Sequence, residues 1–364
     1  MRGFGAQVRR SHFGVRFFRI ETRFSSLRRA RRDRRDLRVT SEVGVVAIGR
    51  NEGDRLRRCL NSLSRVRRNL VYVDSGSTDG SVALSQQAGA LVVPLDIGTP
   101  FTAARARNEG FKALLTAFPD TQYVFFVDGD CEVVDGWIEK AVQFLEGHAD
   151  VALVWGLRRE RHPETSIYNH LCDLEWQAYP SGETRACGGD VVARVKVLRE
   201  VGVFRPDLIC GEEPELCVRV RNAGWRIWRL SEAMTIHDAA MHQFGQWWKR
   251  SVRTGYGYAH GVSLHGSSPE RYCVSETRRA WTWGFAIPVA IAFLVSIFGG
   301  WALLALGVYP LQIWRLARTG RHGARDNWLW ASALVLSKFP EVLGQLRFLR
   351  DRYMRIRSRL IEYK

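Results

Sequence analysis

Short apolar runs alternate with helix-like patterns through the first part of the chain. Apolar residues recur at helical spacing at Leu56, Leu60 and Leu63 and again across 103–118. The runs between these segments are β-branched or aromatic and short, as in buried strands: Val43–Ile48, Asn69–Val73, Ala90–Val93 and Tyr123–Val127. This alternation predicts an α/β fold, a Rossmann-like, mostly parallel sheet with flanking helices.

Polar clusters follow three of these predicted strands. Asn51 and Glu52 follow the first strand, the turn Asp74–Gly80 follows the second, and Asp128-Gly129-Asp130 follows the fourth. In parallel sheets ligands bind outside the carboxyl ends of the strands. We therefore expect the three clusters to converge on one crevice.

The chain is less regular from residue 151 to residue 240. Val151–Trp155 and Arg226–Leu230 have the pattern of strands, and Pro214–Ala223 has that of a helix. The apolar character then rises sharply, because no charged residue occurs from Ala280 to Trp314. That run exceeds the roughly 20 apolar residues that a spanning helix needs.

Charges at both ends of this apolar run predict its topology. Arg278 and Arg279 precede it and Arg315 follows it, so both ends prefer the cytoplasmic side of a membrane. Gly299 and Gly300 at its centre can turn the chain, which favours a membrane-associated helical hairpin or paired transmembrane helices over a single pass. A buried core helix is the alternative interpretation.

The net charge of +17 is concentrated at the two ends of the chain. Residues 1–41 carry a net charge of +10 and residues 315–364 a net charge of +8, which leaves the middle close to neutral. This distribution argues against a nucleic-acid enzyme with a basic working face and favours ends that touch an anionic membrane. Binding of RNA by the Arg-rich start, an organelle transit peptide and a disordered tail remain alternatives for residues 1–41.

Two clusters have residue types suited to metal and nucleotide binding. Asp128 and Asp130, one residue apart at a strand end, can face one hard cation, Mg²⁺ or Mn²⁺, whose coordination is completed by phosphate oxygens and water. The turn that begins at Asp74 offers the carboxylates of Asp74 and Asp79 and the hydroxyl of Ser75. Each cluster alone is also typical of a loop cap or an Asx turn. The seven cysteines have no zinc-site spacing and are interpreted as reduced thiols.

The order and spacing of the motifs are more specific than any one of them. From residue 43 to about residue 260 the chain resembles the family 2 glycosyltransferases of the GT-A fold. The resemblance rests on the strand before Asn51-Glu52, then VDSGSTDGS (73–81), ARNEG (106–110), VDGD (127–130), CGGD (187–190) and GEEPELCVRVRNAGW (211–225).

The resemblance implies roles for individual residues. Asn51 and Glu52 are expected to line the nucleotide pocket and Asp74 to contact the base or ribose, with Ser75, Asp79 and Gly129 nearby. Arg107 and Asn108 are expected near the donor, Asp128 at the ribose or metal, and Asp130 as the principal metal ligand. His237 is a further metal or phosphate candidate, although a lone histidine is more often structural. The same resemblance places Gly188, Gly189, Asp190 and Trp225 in the acceptor or diphosphate region.

The general base of inverting members corresponds to Glu213, with Glu212 as the less favoured candidate. This sequence has Glu where Asp is usual, which lengthens the reach of the carboxylate without changing its chemistry. Gln246 and Arg250 faintly resemble an element of processive members, but the order of residues differs and processivity is not supported. Arg250 and Arg253 are candidates to grip a diphosphate or a lipid phosphate.

Together these features predict a metal-dependent inverting glycosyltransferase. Its donor is expected to be a UDP- or GDP-sugar and its acceptor a lipid-linked or polysaccharide hydroxyl, with no nucleic-acid partner. The predicted organisation is a basic arm at 1–41, a catalytic domain at 42–265, a membrane hairpin at 280–316 and a basic interfacial region at 317–364. We expect the inner membrane as location, with the catalytic domain on the cytoplasmic side. A non-catalytic membrane scaffold is the alternative function. A sugar-phosphate nucleotidyltransferase is disfavoured because Gly49-Arg-Asn-Glu52 follows the first strand, where such an enzyme would usually have a Gly-rich loop bearing Lys or Arg.

Overall fold

The computed structural model describes residues 42–96 and 98–356. The basic arm predicted at 1–41 and the last part of the predicted interfacial region lie outside the described residues. The strands are β1 (Val43–Gly49), β2 (Leu70–Asp74), β3 (Leu91–Pro94), β4 (Tyr123–Asp128), β5 (Cys131–Val133), β6 (Val151–Glu160), β7 (Gly182–Glu183), β8 (Val191–Arg194) and β9 (Arg226–His237).

Helices connect these strands and extend beyond them. The α-helices are α1 (Asp54–Ser62), α2 (Ser81–Gln87), α3 (Ala103–Ala117), α4 (Trp137–Gly147), α5 (Ile167–Gln177), α6 (Val195–Val201), α7 (Glu212–Asn222), α8 (Phe244–His265), α9 (Val274–Trp281), α10 (Ile287–Phe298), α11 (Val308–Thr319), α12 (Ala324–Leu336) and α13 (Lys338–Tyr353). A π-helical segment covers Thr282–Ala286, and 3₁₀ segments cover Ser64–Asn69 and Gly299–Gly307.

All nine described strands form one sheet in the order β3-β2-β1-β4-β8-β6-β9-β5, with β7 also paired to β9. The first four strands along this order are parallel, as the alternating sequence pattern predicts. β8 then runs antiparallel to both β4 and β6, and β9 is parallel to β6 but antiparallel to β5 and β7. The sheet is therefore mixed, with its parallel half at the start of the chain.

The apolar runs of β1, β2 and β4 form the core because both faces of these strands are covered. Every residue of β2 is buried, as is all of β1 except Gly49. α3 packs closely against this sheet, since a Cβ at Gly110 would overlap Val46 and Val73. The carboxyl ends of β1, β2 and β4 are thereby fixed at one edge, where the polar clusters follow.

The C-terminal helices include the apolar run. One helical stretch among the described residues, Val274–Thr319, is long and apolar enough to cross a membrane, and only 6% of its most apolar window is buried. The backbone at Gly299 has a φ of +68°, and the Tyr309 hydroxyl donates to the Trp283 carbonyl at 2.7 Å. In an unbroken helix these two residues would be about 39 Å apart, so the chain reverses between them.

The last helix, α13, returns to the catalytic part of the molecule and packs along α8. Glycines permit this close packing, because a Cβ at Gly255 would overlap the backbone of Glu341 and one at Gly344 would overlap that of Val252. The rings of Tyr256 and Phe348 meet edge to face at 5.3 Å in the same contact. α8 is therefore held between α13 and the rest of the fold.

Candidate active site

The polar clusters meet where the sheet register brings strand ends together. Gly49 pairs with Asp74, and Ile48 pairs with Asp128, so the residues that follow β1, β2 and β4 share one edge. This edge borders a cleft of about 710 Å³. The predicted site residues that line it are Asn51, Glu52, Ser75, Arg107, Asp128, Gly129, Asp130, Glu212, Glu213, His237 and Arg250.

Arg107 of α3 lies at the centre of the acidic residues. Its side chain is 2% exposed, and one guanidinium nitrogen donates to Asp128 at 2.8 Å. A second nitrogen lies 2.9 Å from a carboxylate oxygen of Glu212 and 2.9 Å from one of Glu213. Three carboxylates thus surround one cation, which leaves the cluster negatively charged when all are ionised.

This excess of negative charge affects Glu213. Burial, with the negative charge of Glu212 next in size, raises the pKa of Glu213 from 4.5 to about 7, although Arg107 opposes the shift. Its side chain is 15% exposed, compared with 4% for Glu212. Of the two candidates, Glu213 is therefore the one with more access to the cleft and with a pKa close to neutrality, which suits a general base.

Gly189 makes room for this cluster. A Cβ at residue 189 would overlap a guanidinium nitrogen of Arg107 and would approach Asp128 to 2.9 Å and Glu213 to 3.1 Å. Gly188, by contrast, has open space at its Cβ position. The second glycine of the CGGD motif therefore lets the backbone pass close to the side chains of Arg107, Asp128 and Glu213.

Asp130 and His237 face each other across the pairing of β5 with β9. The register sets Cys131 opposite His237, and the imidazole Nε2 lies 3.4 Å from an Asp130 carboxylate oxygen. On the other side of the ring, Nδ1 lies 3.6 Å from a carboxylate oxygen of Glu160. This carboxylate lies beyond hydrogen-bond distance of the ring, so its contact with His237 is electrostatic.

The donor set at this position fits a divalent cation. Asp130, His237 and Cys131 present ligand atoms within 4.8 Å of one another, as do Asp128, Cys131 and Asp190. Burial raises the pKa of the Cys131 thiol well above its usual value, so the sulfur carries its proton in the metal-free protein. The carboxylate and imidazole groups that remain suit Mg²⁺ or Mn²⁺.

Asp190 supports this edge of the cleft from beneath. It is fully buried, and its carboxylate accepts hydrogen bonds from the Asp128 backbone N–H at 3.1 Å and from the Thr235 hydroxyl at 2.7 Å. Arg158 of β6 pairs with it at 2.7 Å and lies over the ring of Trp176. Arg158 and Trp176 both line the cleft, and no sequence motif marked either of them.

The turn after β2 is fastened to the end of β1. The side-chain oxygen of Asn51 accepts from the Thr78 backbone N–H at 2.7 Å, and the Asn51 backbone N–H donates to the Ser77 hydroxyl at 2.9 Å. Asp74 is buried and accepts from the backbone N–H groups of Gly76 and Ser77, and Asp79 accepts from that of Gly53. Asp74 and Asp79 thus shape the loop after β2, and neither lines the cleft.

Six other predicted residues do not line the cleft: Gly188, Gly189 and Asp190, which are described above, and Asn108, Gln246 and Trp225. The Asn108 amide makes hydrogen bonds to both the N–H and the carbonyl of Phe204. Gln246 accepts from the backbone N–H groups that precede α8, in a capping box. Trp225 donates to Glu200 at 3.3 Å. Each of these contacts stabilises a local structural element.

Further arginines line the cleft beyond those that the sequence motifs marked. Arg50, Arg55 and Arg158 are present in addition to the predicted Arg250 and to Arg253, both of α8. Arg250 is paired with Glu175 at 2.8 Å. These cations make the walls of the cleft suitable for a diphosphate, although its floor is acidic.

Comparisons with known proteins agree with this geometry. Residues 45–202 match the model of glycosyl transferase family 2. The glycosyltransferase AglE of Haloferax volcanii is 25% identical over 227 residues, which cover 59% of this chain and 72% of that protein. The pre-mycofactocin glycosyltransferase of Mycobacterium tuberculosis is 30% identical over 213 residues, 54% of this chain but only 43% of that relative.

A solved structure shares the fold. The mannosyltransferase PcManGT from Pyrobaculum calidifontis, determined in complex with GDP-Man and Mn²⁺, superposes with a TM-score of 0.51 at 16% identity, covering 85% of this chain and 88% of that one. The predicted α/β architecture of the GT-A type is thereby confirmed. The predicted resemblance of this part of the chain to the family 2 glycosyltransferases is thereby confirmed over residues 45–202.

Proposed function

We propose that this protein transfers a sugar from a nucleoside-diphosphate sugar to an acceptor hydroxyl, with inversion at the anomeric carbon, at a membrane surface. The observation that carries the proposal is the cluster in which Arg107 holds Asp128, Glu212 and Glu213 beside Asp130 and His237 in one cleft. This places a candidate base, candidate metal ligands and cationic walls around the same space.

Glu213 would take the proton of the acceptor hydroxyl. Its raised pKa of about 7 leaves it ionised in a large share of molecules at neutral pH and basic enough to accept a proton there. Arg107 orients the carboxylate, and Gly189 leaves the space that this arrangement needs. One base and a direct displacement require no carboxylate nucleophile, so inversion is the expected stereochemistry.

Asp130 and His237, with Asp128 beside them, would hold the divalent cation. When bound, the cation would neutralise charge on the departing diphosphate. The Glu160 carboxylate lies on the side of the His237 ring opposite Asp130. Arg250 and Arg253 of α8 would contact the diphosphate from the opposite wall, and the loop from Asp74 to Asp79 would border the base and ribose.

The exposed apolar residues of the C-terminal helices support attachment to a membrane. Phe293, Phe298, Trp301 and Leu304 of the reversed segment are 64%, 65%, 82% and 77% exposed. A soluble surface seldom exposes so many large apolar side chains together. We propose that this segment inserts into the inner membrane, with the catalytic part on the cytoplasmic side and a lipid-linked or polysaccharide acceptor.

Nucleotide binding by the full-length protein in neutral detergent tests the proposal. UDP, GDP, UDP-glucose and GDP-mannose are each added with and without Mn²⁺, and the thermal midpoint is recorded. A ligand at 100 times its Kd stabilises the fold by about 2.7 kcal/mol. We expect one nucleotide to raise the midpoint only with metal, and Asp130→Asn to abolish the rise.

Asp135→Asn is the matched control, because Asp135 is a nearby carboxylate that is 75% exposed. No rise with any nucleotide would refute the proposal. A rise without any release of nucleoside diphosphate in the presence of membrane lipids and polysaccharide acceptors would favour the non-catalytic scaffold.

A further inference from the structure

A second cavity lies next to the candidate active site. Its volume is about 510 Å³, and Thr102 lines both this cavity and the cleft. Its walls include His260 of α8, Arg352 of α13, Asp207 and Ile356. The cavity therefore forms where the C-terminal helices pack against the catalytic part of the molecule, and none of the roles assigned above uses it.

His260 is an unusual residue for a merely structural contact. It is 8% exposed, and its Nδ1 has no hydrogen-bond partner among residues 42–96 and 98–356. Its Nε2 lies 3.5 Å from a carboxylate oxygen of Asp207, and its ring packs on Phe348. A buried polar nitrogen without a partner costs free energy, and in native proteins it often marks a place where a ligand or water completes the structure.

The charges around the cavity favour an anion. Asp207, the acid among the lining residues, is already neutralised by Arg205, whose guanidinium donates to both of its oxygens at 3.1 and 2.9 Å. Arg105 lines the cavity at the start of α3, where Thr102 caps the helix and the helix dipole is positive. Arg352 is exposed and forms no ion pair with any residue that the structure describes.

The rim of the cavity is apolar as well as cationic. Ile356 lines it and is 48% exposed, and the neighbouring Tyr353 and Met354 are 90% and 59% exposed. Leu349, one turn before Tyr353 on α13, is 49% exposed. An arginine among exposed apolar side chains is the arrangement of a protein surface at the boundary of headgroups and acyl chains, whereas a site for a free anion needs no such rim.

We propose that this second cavity binds the phosphate group of a membrane-lipid headgroup, held by Arg352 and His260 beside Thr102. The inference deepens the proposed function and rests on it in one respect, the membrane position of the C-terminal helices. A phosphate-bearing lipid held here lies next to the cleft, so the site would select an acceptor that is attached to a lipid phosphate.

A mixed-micelle titration tests the inference. Full-length protein in neutral detergent is titrated with phosphatidic acid, and diacylglycerol, which lacks the phosphate group, is the uncharged reference in the same micelles. We expect phosphatidic acid to raise the thermal midpoint in a saturable way. Arg352→Gln should weaken the apparent affinity about tenfold, the loss expected for one charge-assisted contact of roughly 1.4 kcal/mol.

The matched control is Arg355→Gln, which removes an equal charge from the same end of α13 but does not line the cavity. Equal effects of Arg352→Gln and Arg355→Gln would reveal general attraction to anionic micelles and overturn the site. His260→Phe keeps the ring packed on Phe348, so it should fold normally and lose the response to phosphatidic acid. Retention of the full response in this variant would also overturn the proposal.

Inorganic phosphate and pyrophosphate, added without lipid, distinguish the two sources of a phosphate group. If either one stabilises the protein as strongly as phosphatidic acid at equal concentration, the ligand is a free anion and the lipid source is wrong. The response to UDP and GDP with Mn²⁺ is measured in the same samples. A normal nucleotide response without a lipid response refutes this inference alone, whereas loss of the nucleotide response in the unmodified protein refutes the proposed function.

Discussion

The three carboxylates around Arg107 give a prediction in which stability and activity change in opposite directions. Glu213 has a pKa of about 7 in the fold against an ordinary value of 4.5. Because the folded-state pKa is raised, the fold is penalised whenever this carboxylate is ionised. The penalty is absent below pH 4.5, grows as the pH rises from 4.5 to 7, and is complete above pH 7.

Glu213→Gln should remove that penalty. The difference between 7 and 4.5 corresponds to an upper limit of about 3 kcal/mol in the free energy of unfolding. Since the side chain is 15% exposed, solvent screening reduces this to about 2 kcal/mol. We therefore compare the free energy of unfolding of the variant with that of the unmodified protein at each pH. The difference in favour of the variant should be about 2 kcal/mol larger at pH 8 than at pH 4.5.

The assay is chemical unfolding of the full-length protein in neutral detergent at pH 4.5 and pH 8, with a chelator present. Glu109→Gln is the control, because Glu109 is an exposed carboxylate on α3, the helix that carries Arg107. In parallel, turnover of Glu213→Gln should fall by about 10²–10⁴-fold, the usual contribution of a general base. A variant that is no more stable at pH 8 than at pH 4.5, relative to the unmodified protein, would show that Glu213 is not penalised by its surroundings. Turnover of Glu213→Gln within tenfold of that of the unmodified protein would show that Glu213 is not the general base.

Three other changes test the architecture of the site and its support. Arg107→Met leaves Asp128, Glu212 and Glu213 without their shared cation and should destabilise the fold by about 3–5 kcal/mol, measured by chemical unfolding, whereas Arg107→Lys should recover part of the loss. Gly189→Ala should force Arg107 away from its partners and reduce turnover at least about tenfold, while a Gly188→Ala control, with open space at its Cβ, stays near normal. Gly344→Val should separate α13 from α8 and lower the thermal midpoint by several degrees, because about 1–3 kcal/mol is typical of overpacking. An unchanged midpoint would show that this glycine contact is not a tight one.

The parallel half of the sheet was predictable from sequence because β1, β2 and β4 are buried on both faces, although the edge strand β3 is partly exposed. Such strands appear as continuous apolar runs, and β1, β2, β3 and β4 begin and end within one residue or so of the predicted runs. The antiparallel strands were harder to predict. β9 extends to His237, well beyond the predicted Leu230, because its second half pairs with β5, a strand of only three residues.

The same distinction applies to the site. Asp128, Asp130 and Glu213 lie in motifs with a fixed spacing, so a linear pattern marks them. Arg158 and Trp176 reach the cleft only through the packing of β6 and α5, and a single arginine in a strand carries no signal in the sequence. The excess of negative charge around Arg107 also depends on three separate segments of the chain meeting in space, and no local sequence pattern reveals such a meeting.

The contact between α8 and α13 has a consequence for how far the enzyme can reach. α8 presents Arg250 and Arg253 to the cleft on one side and meets α13 through Gly255 on the other. A helix shared in this way fixes the distance between the cleft and α13. If the C-terminal helices lie on a bilayer as proposed, the cleft would stay at a fixed height above it. The protein would then reach acceptor groups within a narrow layer near the membrane and would not reach those that project further.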